Sequence, residues 1–132
     1  MNTSPVESPR CSTSLRWLVW VLYLCAWTAA LLTTHPVQLA TVVFPETTLR
    51  FLAAKLLHVS AYALLAVLSG WLRAPLRYRW LLLAFLPAHA LGTEFLQQFV
   101  ELRTGSWEDV GIDHLGLALG LTLSWRQWRS AD

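Results

Sequence analysis

Residues 94–120 read EFLQQFVELRTGSWEDVGIDHLGLALG: two apolar segments, each bearing carboxylates, joined by a short polar loop that carries one arginine. Glu94 and Gln97 lie three residues apart near the end of an apolar run that begins at Trp80, so a helix places them on one face. Beyond the loop, Asp109, Asp113, Gly116 and Gly120 recur at steps of four, three and four. That spacing stacks two carboxylates and two glycines on one stripe of the next helix, a polar and flat stripe suited to meeting another helix. An uncompensated charge near the centre of a bilayer costs about 2.5–3.5 kcal/mol, so acids inside apolar runs face protein or trapped water and mark a functional site.

Composition sets the medium. The 132 residues are 55% hydrophobic and 14% charged, with a mean hydropathy of +0.46, which is too apolar for an ordinary soluble domain. The chain reads as an all-α membrane protein. A net charge of +2 without a basic run excludes nucleic acid as the expected partner. Cys11 lies in a polar tail and Cys25 in an apolar run, so neither a disulfide nor a thiolate metal site is expected.

Residues 1–14, rich in Ser, Thr and Pro, are expected to be a disordered tail. Residues 15–129 form one transmembrane domain with spans over residues 17–32, 51–72, 80–100 and 109–125. Arg16 before the first apolar run also fits a signal peptide, but Trp27 interrupts its small-residue end and the later spans need packing partners, so the run is read as retained. Residues 33–50, with Pro36 and Pro45, read as a loop with an interfacial turn. Pro87 is expected to kink the third span by freeing the Leu83 carbonyl. Trp125 and Trp128, interleaved with Arg126 and Arg129, read as an interfacial anchor.

Basic residues set the orientation. Arg10, Arg16, Arg73, Arg77, Arg79, Arg126 and Arg129 flank one side, against Arg50, Lys55 and Arg103 on the other, so both termini are expected in the cytoplasm of an up-down bundle of four transmembrane helices. The start of span two, the end of span three and the start of span four then share the outer level. Lys55, His58 and Tyr62, at steps of three and four, join Glu94, Gln97, Arg103, Asp109 and Asp113 there. At 1.5 Å per residue, Glu94 lies roughly 9 Å and Asp113 roughly 6 Å inside their span ends.

Two uses of this cluster are open: an ion-pair knot that locks three helices, or a site facing the outer surface. Arg103, the one arginine between the acidic helices, is expected to fork across Glu94 and Asp109. His58, Glu94, Asp109 and Asp113 are metal-ligating types, but they lack compact ligand spacing, so neither metal nor cofactor is expected. His114 points about 100° away from Asp113, and His89 is read as a helix–helix hydrogen-bond partner. Gly116 and Gly120 form a small-xxx-small pair for close helix packing.

The order K-x-x-H-x-x-x-Y at Lys55, His58 and Tyr62, then E-x-x-Q and R-x-x-x-x-x-D at Glu94, Gln97, Arg103 and Asp109, then G-x-x-x-G at Gly116 and Gly120, resembles the VanZ-like family of small bacterial membrane proteins. The resemblance covers roughly residues 51–120. Three places depart from it: Ala54 stands for the acid usual before the lysine, Glu101 and Leu102 for a Pro-Gly pair, and Asp113 for an asparagine. It implies a multi-pass protein of the bacterial inner membrane, serving the cell envelope, in a family linked to antibiotic resistance. The expected function is to bind or modify a lipid-linked or head-group ligand, with membrane lipids or an envelope precursor as partners. Were it an enzyme, Glu94 or Asp109 would accept a proton beside His58 and Arg103, although no diagnostic nucleophile motif is present. The second expectation is a non-catalytic helper docking on a larger envelope protein through the Gly116–Gly120 stripe, and a transporter of four short spans, which would have to oligomerise, is third.

Overall fold

The computed structural model describes residues 12–103 and 105–130, and all but the last three residues of the expected tail lie outside them. Helix α1 (Thr13–Leu31) begins inside that tail, because the Ser12 hydroxyl accepts the Leu15 N–H at 3.3 Å and so caps the first turn. It is followed by α2 (His35–Val43), α3 (Thr47–Trp71), α4 (Leu76–Gln97), α5 (Trp107–Leu123) and the single turn and a half of α6 (Trp125–Arg129). The described residues are all-helical in their regular structure.

The segment read as a loop holds α2. Pro36 falls in its first turn, where the missing N–H would have had no intrahelical partner, and the helix ends ahead of Pro45. Helix α4 runs through Pro87 as one helix. Pro75 separates α3 from α4, and Arg73 makes the turn between them with a left-handed φ of 49°.

Helix α3 is the centre of the molecule. Along α1, Trp20 donates to the Ser69 hydroxyl at 2.8 Å, and Tyr23 donates to the Ala61 carbonyl at 2.9 Å, so α1 runs antiparallel to α3. Along α5, Gly116 faces Val59 and Tyr62 while Gly120 faces Ala63 and Ala66, so α5 runs parallel to α3. A Cβ on Gly116 would sit 2.5 Å from the Val59 carbonyl oxygen, and one on Gly120 would collide with the Ala63 carbonyl. Backbone-to-backbone packing at this distance is available only to glycine. The stripe is therefore occupied from within the chain, which removes it as the docking face of the helper expected above.

At the end of the bundle remote from Glu94, arginines satisfy carbonyls of helix ends and of the α3–α4 connection. Arg16 donates to Trp71 O at 3.1 Å, and Arg79 donates to Ala74 O at 2.8 Å and Trp128 O at 2.6 Å. Trp128 belongs to the core and not to an interfacial anchor: it is buried, its indole N–H reaches Ala66 O at 3.3 Å, and Gly70 leaves the space it fills. Trp125 stays exposed.

Two helices among the described residues, α1 and α3, are long and apolar enough to cross a membrane. Only 17% and 28% of their most apolar windows are buried inside the protein, unlike the core helices of a soluble domain. Large apolar side chains also cover the outside of the other helices and the turn after α4, with Val42, Trp107 and Leu123 on the helices and Phe99 in that turn each at least 75% exposed.

Candidate functional site

The site is assembled where α3, α4 and α5 meet. His58 on α3 lies one turn beyond Lys55, Glu94 lies in the last turn of α4, and Asp113 lies in the second turn of α5. The parallel run of α3 and α5 sets Asp113 beside His58 just as it sets Gly116 beside Val59. His58 Nδ1 is 2.8 Å from Asp113 Oδ1 and 3.9 Å from Glu94 Oε1. All three residues are buried, with Glu94 3% and Asp113 0% exposed. Glu94 Oε2 accepts the Ser106 N–H at 3.2 Å, whereas Glu94 Oε1 and Asp113 Oδ2 are buried without a hydrogen-bond partner among the described residues.

The eight polar residues expected to share one site divide into five groups, of which Arg103 alone makes the last. Lys55 pairs with Asp109 at the partly exposed rim. Asp109 also meets the N-cap of α5: its N–H donates to Ser106 Oγ at 3.1 Å, and the Ser106 hydroxyl donates back to Asp109 Oδ2 at 3.0 Å. The inner group is His58, Glu94 and Asp113. Tyr62 is buried a turn deeper in a hydrogen-bonded chain in which its hydroxyl meets His89 Nδ1 at 3.2 Å and Thr93 Oγ1 at 3.1 Å, while His89 Nε2 meets Thr28 Oγ1 at 2.9 Å. His89 thus links α1, α3 and α4, the helix–helix role expected of it. Gln97 is buried, and its amide nitrogen is unpartnered among the described residues. His114 is exposed and bonded only to its own helix, at Val110 O.

Arg103 departs from its expected place. It does not fork across Glu94 and Asp109; its guanidinium donates to Ala30 O at 2.6 Å and to Thr33 O at 3.2 and 3.3 Å, closing the C-terminal end of α1. Open carbonyls at a helix end attract a cation, and Asp109 already has Lys55. Burial draws the Arg103 guanidinium below its ordinary pKa, with the charge of Glu94 acting in the opposite sense. Gly105 fits the loop against α4 so closely that a Cβ there would strike the Glu94 carbonyl oxygen, and this contact holds the loop over the acid.

Beside the cluster lies a cavity of about 560 Å³ between α1, α2 and α3. Its walls are apolar, with Trp27, Val37, Ala40, Phe44 and Ala54 among them, and His58, Arg50 and Arg103 contribute the polar groups. Pro36, Val37, Ala40 and Phe44 present one face of α2 to it, while Leu39, Val42 and Val43 point outward. Sequence reasoning missed this wall, along with Ser106, for which the S-x-x-D spacing was the available signal.

Chemically, an imidazole held through Nδ1 by a carboxylate is oriented as a general base or a ligand. The cavity offers an apolar chain a place beside cationic groups. Comparison with known proteins finds no matching family model, no matching curated protein and no matching solved structure.

Proposed function

We propose that the chain is a four-span protein of the bacterial inner membrane that binds the head group of a lipid-linked envelope ligand at the level of the outer leaflet. In this reading α1, α3, α4 and α5 cross the bilayer in an up-down bundle with both termini cytoplasmic, and α2 lies in the outer interface. The ligand's acyl or isoprenoid chain occupies the cavity, and an anionic head sits near Arg50 and Arg103. The observation that carries the proposal is the cavity itself: apolar along its length, walled on one side by α2, and edged by two arginines and a histidine that belongs to the buried cluster.

Other features agree. The arginine excess lies at the bundle end opposite His58, as the positive-inside rule requires of a site facing out. Helix α2 turns an apolar face to the cavity and exposes Leu39, Val42 and Val43 alongside Gln38 and Thr41, a mixture that suits a helix lying at the interface. Trp20, Trp27 and Leu31 are buried against the bundle, so α1 serves as a working part of it. The proposed kinship with VanZ-like proteins also gains support from Leu102, which holds a left-handed φ of 61° at the position where that resemblance expects glycine.

The test is ligand retention by the purified protein in detergent, read by native mass spectrometry with an added polyprenyl phosphate. Wild type should retain it. Ala54→Trp, which fills the cavity wall, and Arg103→Ala, which removes a cation, should each lower retention by roughly tenfold, about 1.4 kcal/mol. Equal retention by wild type and Ala54→Trp would overturn the proposal.

A further inference from the structure

We infer that His58, Glu94 and Asp113 form a binding site for one divalent transition cation, of the Zn2+ or Mn2+ class. Each of the three offers a ligand atom, and these atoms lie within 4.8 Å of one another in a buried position. Ligand atoms that share one ion at about 2.0–2.2 Å stand roughly 3–4 Å apart, so small side-chain rotations suffice to close the set.

The second observation is the state of the carboxylates. Glu94 Oε1 and Asp113 Oδ2 are buried and without a hydrogen-bond partner among the described residues, although both side chains are at least 97% inaccessible to solvent. Orphaned carboxylate oxygens are costly in a low-dielectric setting unless a cation faces them. The two cationic side chains of the polar cluster, Lys55 and Arg103, are committed elsewhere, and Arg50 on the cavity wall forms no ion pair with either acid. Lys55 is paired with Asp109, Arg103 is bonded to the carbonyls of Ala30 and Thr33, and neither forms an ion pair with Glu94 or Asp113. A divalent ion with two carboxylates and one neutral imidazole makes the cluster electrically neutral. The Lys55–Asp109 pair beside it is neutral already.

The ligand set narrows the ion. One imidazole nitrogen with two carboxylate oxygens suits zinc or manganese; magnesium and calcium favour all-oxygen sites, and copper(I) favours sulfur. Three protein ligands leave at least one coordination position open, as in catalytic zinc sites. His58 belongs to both the cluster and the cavity wall, so that position adjoins the cavity. A phosphate oxygen of a bound head group could complete the shell. This extension rests on the function proposed above, whereas the metal site does not. The ligands come one from each of three helices, so no compact spacing announced them.

The experiment uses the full chain in detergent, stripped with EDTA and dialysed against Zn2+ or Mn2+ alone, with bound metal counted by elemental mass spectrometry and affinity measured by calorimetry. One ion per chain is expected, with a rise in thermal midpoint that EDTA reverses. Glu94→Gln and Asp113→Asn, which keep shape and remove charge, should each weaken binding by at least roughly tenfold. His114→Gln, at an exposed position on α5, should bind as wild type does. Absence of stoichiometric metal on wild type overturns the site, as does unchanged affinity in a folded Glu94→Gln. If Asp113→Asn fails to fold, wild-type stoichiometry and Glu94→Gln still decide. Metal binding without polyprenyl phosphate retention would overturn the proposed function and leave the metal site standing.

Discussion

Gly120→Ala adds one methyl group at the closest approach of α5 to α3, where the structure gives its consequence a definite sign. The new Cβ would strike the Ala63 carbonyl oxygen and stand 2.7 Å from Ala66 Cβ, against an ordinary contact distance of 3.4 Å or more. Ala66 Cβ would have to retreat by about 0.7 Å, and because the obstacle is helix backbone, α5 must move bodily away from α3. Overpacking of this kind costs about 1–3 kcal/mol. Alanine in place of glycine within a helix returns about 0.8–1.0 kcal/mol of intrinsic propensity. Gly111→Ala, in the same helix but with nothing within 4 Å of the added Cβ, receives only the favourable part. The difference in unfolding free energy between the two variants isolates the clash and should be about 1–3 kcal/mol. Equilibrium unfolding in mixed micelles, followed by far-UV circular dichroism, measures both. If Gly120→Ala proves as stable as Gly111→Ala, the close α3–α5 contact, and with it the placement of Asp113 beside His58, is wrong.

Arg103→Lys and Arg103→Ala should both loosen the end of α1, because a lysine cannot reproduce the three guanidinium contacts to Ala30 and Thr33. A loss of about 1.5–3 kcal/mol is expected for the alanine and less for the lysine, with faster hydrogen exchange at residues 28–33 as the local readout. Leu102→Gly should stabilise the protein by up to about 1 kcal/mol, since it relieves a left-handed conformation on an exposed side chain, and a lower unfolding midpoint would contradict that φ. Asp109→Asn should weaken the start of α5 by about 1 kcal/mol, through loss of both the Lys55 pair and the favourable charge in the first turn, and the effect should shrink in high salt.

Much of the helical frame was legible because apolar length and the 3.6-residue period act locally. The steps linking Lys55 to His58, Glu94 to Gln97 and Asp109 to Asp113 each describe one helix face, and short loops bring those faces to one end. How the cluster divides was not legible. Whether Asp109 or Asp113 meets His58 depends on the axial register of α5 against α3, which Gly116 and Gly120 set through contacts with Val59 and Ala63 far away in sequence. Arg103 was misplaced for a similar reason: its partners are carbonyls of α1, whose open end no side-chain pattern advertises. Helix α2 was hidden by reading Pro36 as a breaker, although in a first turn proline is favourable. Trp128 looked interfacial beside its arginines, and its burial depends on Gly70, on a different helix.

The central claim is that the His58–Glu94–Asp113 end of a membrane-crossing bundle faces outward, and cysteine accessibility tests it directly. In a Cys11→Ser, Cys25→Ser background, single cysteines at Leu102, Arg77 and Ser130 are exposed to a membrane-impermeant maleimide in intact spheroplasts. The account predicts that Leu102→Cys is labelled at once, and that Arg77→Cys and Ser130→Cys are labelled only after the membrane is permeabilised. Labelling of Ser130→Cys in intact spheroplasts, with Leu102→Cys protected, would place the site on the cytoplasmic side and contradict it.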